Sequence, residues 1–205
     1  METGSPPSEA TWTGSRFSAQ SWTHDRDSIV DPQWGSLRIV GGQIPVTLYR
    51  YNTNDPSRLI GYVPLPLGAN EWAYISSSPS PLRDWILVSV SIVGTDVLPQ
   101  YAKSATIYRL PFLGGAPTQI AVLPDRLVYW LAMSEDGTEF AVATGQGRGS
   151  PQSPINPVPN CEVSFRSVAT GTAVRAVSSQ YACGGTLYLA GGFAPLRASR
   201  SMPKH

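Results

Sequence analysis

Three tetrapeptides decide the reading of this chain: Thr47-Leu48-Tyr49-Arg50, Thr106-Ile107-Tyr108-Arg109 and Val163-Ser164-Phe165-Arg166. Arg50 and Arg109 are 59 residues apart, and Arg109 and Arg166 are 57 apart. A second pair keeps the same phase, because Ala73-Tyr74-Ile75-Ser76 matches Leu131-Ala132-Met133-Ser134 at a shift of 58. After each member of that pair comes a turn-like segment and then an apolar run, 85–90 in one copy and 140–143 in the other. Self-similarity at a fixed spacing marks a repeat architecture.

The surroundings fit short strands. Runs rich in Val, Ile, Thr, Tyr, Phe or Trp occur at 37–40, 46–51, 59–63, 72–76, 85–91, 105–111, 119–123, 128–134, 139–144, 163–167, 173–177 and 186–190. Turn residues separate them, which is how strands joined by tight connections read. No stretch carries a 3.6-residue apolar period with caps. The body is therefore expected to be all-β. The 16 residues of 145–160 carry four prolines and three glycines and read as a long loop, beyond the two to five residues of a routine hairpin.

Composition narrows the class. The chain has 205 residues, one domain or one with a tail. Its 19 glycines and 19 prolines are well above the usual ~12%, and its charged residues, 14%, are well below the usual ~25%. Gly and Pro are costly inside helices, so a helical bundle is excluded. A hydrophobic content of 41% excludes disorder throughout. A formal charge of +1 gives no basic surface to meet phosphates, so no nucleic-acid partner is expected. The longest apolar stretch, 85–93, is interrupted by Ser89 and Ser91 and falls short of the ~20 residues of a bilayer span, so no membrane role is expected. Met1 is followed by Glu2, Gly4, Ser5, Pro6 and Pro7, with no basic and apolar leader, so a cytoplasmic location is expected. In that setting Cys161 and Cys183 are expected to be two ordinary thiols, although an oxidising compartment would allow them to pair.

A period near 58 with about four strands per copy suggests a β-propeller blade. The residues 107–110, Ile-Tyr-Arg-Leu, lead through Gly114-Gly115 to Gln119-Ile120, and Ala132-Met133-Ser134-Glu135-Asp136-Gly137 leads to Phe140-Ala141-Val142. Here the chain resembles the TolB-type and WD40-like propeller repeats, in which an outer strand ends in a Gly-containing turn and the next blade opens with a Ser-Pro-Asp-Gly hairpin. Asp-Gly suits such a hairpin because Gly accepts the positive φ it requires. Two departures stand out. Glu135 replaces the usual Pro, and the first copy has Ser78-Pro79-Ser80-Pro81 through Asp84 where the Asp-Gly turn belongs.

The expected fold is a partial β-propeller of four-stranded antiparallel blades with a disordered N-terminal arm. Residues 1–36 form the polar arm, 37–192 the propeller part with copies near 46–104, 105–161 and 162–192, and 193–205 a basic tail. At 58 residues per copy this is about 2.7 blades, whereas closed propellers have about 4–8.

Catalytic chemistry finds no foothold. The two histidines are His24 and the terminal His205, so no Ser–His or Cys–His nucleophile is legible, and no Gly-x-Ser-x-Gly or HExxH occurs. Asp136 reads as a hairpin residue, and Asp84 and Asp96 have no visible acidic partner. No catalytic, cofactor or metal residue is expected, and no cofactor. Arg50, Arg109 and Arg166 form either a periodic binding stripe or a solvent-facing guard on outer strands. Trp72, Tyr74, Trp85, Tyr129 and Trp130 read as packing between blades. The expected role is a non-enzymatic scaffold that meets a protein or small ligand at its loop face, with self-association possible through open blade edges. The alternative is a piece of a propeller enzyme, or of a hydrolase's propeller accessory domain, whose catalytic part lies elsewhere. A Gly-x-Ser-x-Gly segment further along the reading frame would favour the alternative.

Overall fold

The computed structural model describes residues 21–22, 28–32, 40–50, 58–80, 84–94, 100–148, 158–178 and 183. They are β-strands and connecting turns, as the composition required. Strands β1 (Ser21–Trp22), β2 (Ser28–Pro32), β3 (Gln43–Arg50) and β4 (Arg58–Pro64) form sheet I. Strands β5 (Glu71–Pro79), β6 (Trp85–Gly94), β7 (Gln100–Pro111) and β8 (Thr118–Pro124) form sheet II. Sheet III contains β9 (Leu127–Met133), β10 (Glu139–Gly145), β12 (Glu162–Ser167) and β13 (Ala173–Ser178). The short strand β11 (Gly147–Arg148) leaves the β10–β12 connection and pairs with the start of β7, so sheet III lends a strand to sheet II. Each sheet is an antiparallel meander in chain order.

The three sheets stack face to face, which is the blade arrangement of a propeller. Ile44, Val46, Ile60 and Val63 of sheet I pack on Ile75, Ile86, Val88 and Leu110 of sheet II. Trp85, Leu87, Ile107 and Leu123 on the other side of sheet II pack on Val128, Met133, Phe140 and Val142 of sheet III. Successive side chains of a strand point to opposite faces. Strand β6 therefore has both faces buried, which explains why 85–93 is the longest apolar run in the chain. Its polar interruptions serve the packing. Ser91 Oγ accepts a hydrogen bond from the backbone N–H of Val128 at 2.9 Å, and Ser78 Oγ of β5 accepts one from Met133 at 3.1 Å. These two hydroxyls pair backbone donors on β9, the first strand of the neighbouring sheet.

Ser91→Ala leaves the buried Val128 N–H without that acceptor. The expected cost is about 1–3 kcal/mol. A thermal melt should fall by roughly 2–12 °C, at 2–4 °C per kcal/mol for a chain of this size. An unchanged melt would show that the hydroxyl does not pin the sheets.

Three expectations are corrected. The repeated tetrapeptides lie on β3, β7 and β12, the third strand of each sheet and not the outer one; β4, β8 and β13 lie outside them. The copies near 46–104, 105–161 and 162–192 thus open in mid-sheet, while the sheets run 21–64, 71–124 and 127–178. Residues 1–36 are not without regular structure throughout, because Ser28–Pro32 pairs along β3 from Ser28↔Arg50 to Pro32↔Val46. The remaining residues of 1–36, the run 186–190 and the tail 193–205 lie outside the described residues. Finally, Cys161 and Cys183 are not thiols. They form a disulfide with Cα atoms 5.9 Å apart. The β12–β13 hairpin sets Glu162 opposite Ser178, so a spacing of 22 in sequence becomes adjacency in space.

Each of the three third–fourth strand pairs carries a bulge near its hairpin, after two register pairs in sheets I and II and after one in sheet III. The register passes over Ile60 in β4, Ile120 in β8 and Val174 in β13. The next sheet's hairpin comes close to two of these points. A Cβ built on Gly114, in the β7–β8 hairpin, would lie 3.6 Å from Ile60 O. One built on Gly171, in the β12–β13 hairpin, would overlap Ile120 O. Both glycines have positive φ, 94° and 69°. The joint between sheets thus repeats, with a glycine of one hairpin set against the bulge carbonyl of the sheet before.

Candidate functional site

In a four-stranded meander the first–second and third–fourth hairpins share one end, and the second–third connections and the crossovers share the other. At the hairpin end, serines organise the turns. Ser134 N–H donates to Glu139 O at 2.9 Å, Glu139 N–H returns to Ser134 Oγ at 3.0 Å, and Ser134 Oγ lies 2.8 Å from Asp136 Oδ1. Asp136 also accepts from the Thr138 N–H at 3.0 Å. That bond, then the hydroxyls of Ser134 and Thr138, hold the carboxyl below its ordinary range. Asp136 Oδ1 takes all three of these bonds within its own turn, from the Ser134 hydroxyl and from the N–H and hydroxyl of Thr138. The first copy does the same with different residues: Ser80 N–H donates to Trp85 O at 2.9 Å, Trp85 N–H to Ser80 Oγ at 3.3 Å, and Ser80 Oγ to Asp84 Oδ1 at 2.7 Å. By hydrogen bonding Ser134 corresponds to Ser80, a shift of 54, and not to Ser76. The missing Asp-Gly turn is replaced by a carboxylate further along the hairpin.

The arginines are not one stripe. Arg109 pairs across the sheet with Leu87, on the face of sheet II turned to sheet III, and its guanidinium lies 4.6 Å from the centre of the Trp85 ring. Arg166 pairs with Phe140, on the face of sheet III turned back to sheet II. It is half-buried and donates to Gly171 O at 2.8 Å and to Ser164 Oγ at 3.2 Å. Burial lowers its pKa, and Glu162 opposes that shift. Spacing of 57 in sequence therefore puts the two arginines on opposite faces of their own sheets, as a one-residue offset in register does. The side chain of Arg50, like Asp96, His24 and His205, lies outside the described residues.

The aromatic residues pack. Trp85 sits in the core between sheets II and III. Trp72, Tyr74 and Tyr129 surround Val93, Ala102 and Leu127, and Trp130 lies with Ala143, Val158 and the two cysteines.

The other end carries the 145–160 loop, and here polar groups converge. Gln146 N–H donates to Pro159 O at 3.0 Å, closing the base of the loop. Ala102 N–H donates to Gln146 O at 2.9 Å, tying that base to sheet II. The Tyr129 hydroxyl donates to Gly147 O, Arg126 to Asn160 O, and the Asn160 amide to Gln146 Oε1. Nearby, Lys103 Nζ lies 2.8 Å from Glu71 Oε1, and Glu71 also accepts from the Gly68 N–H at 2.7 Å. Lys103 first, then that N–H, holds the Glu71 carboxyl below its usual range. The disulfide lies under the same loop, with Cys183 Sγ 3.2 Å from Thr144 O. The residues 149–157 at the loop's centre lie outside the described residues. Sequence flagged the loop by its length and prolines; Tyr129, Arg126 and Asn160 gave no signal there, because their partners are backbone carbonyls or a side chain 14 residues away. Among the described residues, no group of three or more His, Cys, Asp or Glu is placed to hold a metal ion.

No protein-family model matches the chain, and no curated protein matches it. Among solved structures, one reported in a study of two prolyl endopeptidases is similar at 12% identity, over 80% of this chain and 28% of that one, with a TM-score of 0.29. The chain thus spans little more than a quarter of the matched structure's length. A likeness that loose has no bearing on activity.

Proposed function

We propose that this protein is a non-enzymatic binding scaffold whose loop-bearing end meets a protein or a small ligand. The observation that carries the reading is the clamped base of the 145–160 loop. Backbone bonds close it at Gln146–Pro159 and tie it to sheet II through Ala102. A loop held on a rigid frame is the usual way a β scaffold presents a recognition surface. The groups gathered there are amides, carbonyls, a phenol and one ion pair. They suit noncovalent recognition by hydrogen bonding rather than bond cleavage, which needs a nucleophile beside a base. The near-neutral charge argues for a partner other than nucleic acid.

The test replaces residues 149–157 by a Gly-Ser linker of equal length. Parent and variant are compared by affinity capture with quantitative mass spectrometry, and the parent is assayed on fluorogenic peptide and ester substrates. The expected result is a set of partners retained by the parent and lost by the variant at equal melting temperature, without turnover. Identical capture by both chains, or turnover by the parent, would overturn the reading.

A further inference from the structure

The bulges on the fourth strands form a series whose last member is unfilled. Ile60 is 2% exposed and packs into the core between sheets I and II. Ile120 packs against the core between sheets II and III. Val174 occupies the bulge of the third–fourth strand pair in sheet III, yet it is 59% exposed, and Val177 further along β13 is 55% exposed. The joint that binds each sheet to the next therefore has a bulge residue at Val174 still facing outward. At the other end of the stack Leu59 of β4 is 46% exposed. It pairs with Thr47, between Val46 and Leu48, which both face sheet II, so Leu59 stands on the side of sheet I turned away from the stack.

We infer that a second copy of this chain completes the joint, sheet I of one copy docking on sheet III of the other. The contact is head-to-tail, so each copy uses Val174 and Val177 once and Leu59 once. Head-to-tail contacts close into a ring when the rotation per step allows it. Three sheets among the described residues of each chain become six in a pair, within the about 4–8 blades of closed propellers. The interface continues the design already used twice within the chain, and a formal charge of +1 sets up little repulsion between copies. The docking does not rest on the scaffold reading, since solution mass reports association whether or not the 145–160 loop binds a partner.

The test is solution mass by light scattering coupled to size exclusion on the full chain. The expected mass is 44 kDa, twice the chain's 22.0 kDa. Val174→Asp with Val177→Asp should give 22 kDa with a cooperative melt retained, because both side chains are already mostly in solvent. Leu59→Asp, at the far end of the stack, should also halve the mass. A parent chain of 22 kDa would overturn the inference. So would a dimer that Leu59→Asp leaves intact, since the contact would then be β13 against β13. A ladder of larger masses would also overturn it, because the contact would not close.

Discussion

Gly171→Ala should lower stability by about 2–5 kcal/mol, the largest loss expected from adding a single methyl group among the described residues. Two effects add. The residue has φ 69°, where a Cβ strains the backbone by roughly 1–2 kcal/mol. The new methyl group would also overlap the carbonyl oxygen of Ile120, a backbone atom that cannot rotate aside. Relief requires the β12–β13 hairpin to lift off sheet II, costing a further ~1–3 kcal/mol. The hairpin is also where Arg166 donates to Gly171 O, so the displacement would break a bond to a half-buried guanidinium. Gly114→Ala is the control. It too has positive φ, but its Cβ would meet Ile60 O at an ordinary 3.6 Å, so only the strain remains. Thermal melts of the two variants separate close approach from backbone strain. Equal losses would show that the glycine joint is not tighter between sheets II and III than between I and II.

Breaking the disulfide should cost about 3 kcal/mol, the loop-closure value for a bridge spanning 22 residues. Both half-cystines are buried, with Val158, Ala143, Tyr129 and Trp130 around them. The pair closes the base of the loop-bearing end, so its loss acts where the proposed recognition surface is anchored. Cys161→Ser with Cys183→Ser, or treatment with a dithiol, should lower the melt by roughly 6–12 °C. Intact mass before and after reduction and alkylation should differ by two alkyl groups. Alkylation of the unreduced, unfolded chain at two cysteines would show that the bridge does not form.

What the sequence made legible was local, and what it hid depended on register. The third strands were visible because Tyr49, Tyr108 and Phe165 repeat beside an arginine, and β6 because a strand buried on both faces is apolar at nearly every position. Strand β2 was not visible. Ser28-Ile29-Val30-Asp31-Pro32 has two strong β-formers among five residues, and its pairing with β3 is decided by the partner rather than by intrinsic preference. The serine clasp was half visible. Ser134 and Asp136 stand two apart in a recognisable turn, while Ser80 and Asp84 stand four apart and only the hydrogen bonds show that they do the same work. The arginine repeat misled for a related reason. Equal spacing in sequence guarantees the same face only if the hairpins between are equally long, and they are not: the serine frame shifts by 54 where the arginines shift by 57. The loop-bearing end was legible as a loop and illegible as a site, since its clamps are backbone carbonyls that any sequence supplies.

The three sheets stack with sheet II enclosed on both faces, and hydrogen exchange tests that arrangement most directly. Amides in the middle of such a stack open only with the whole fold, and those of an exposed edge strand open locally. Mass-resolved exchange should therefore find the slowest amides in Trp85–Gly94 of β6, and the fastest among the sheet III strands in Ala173–Ser178 of β13. Exchange in β6 as fast as in β13 would mean that no sheet covers both its faces, and the stacked arrangement would be contradicted.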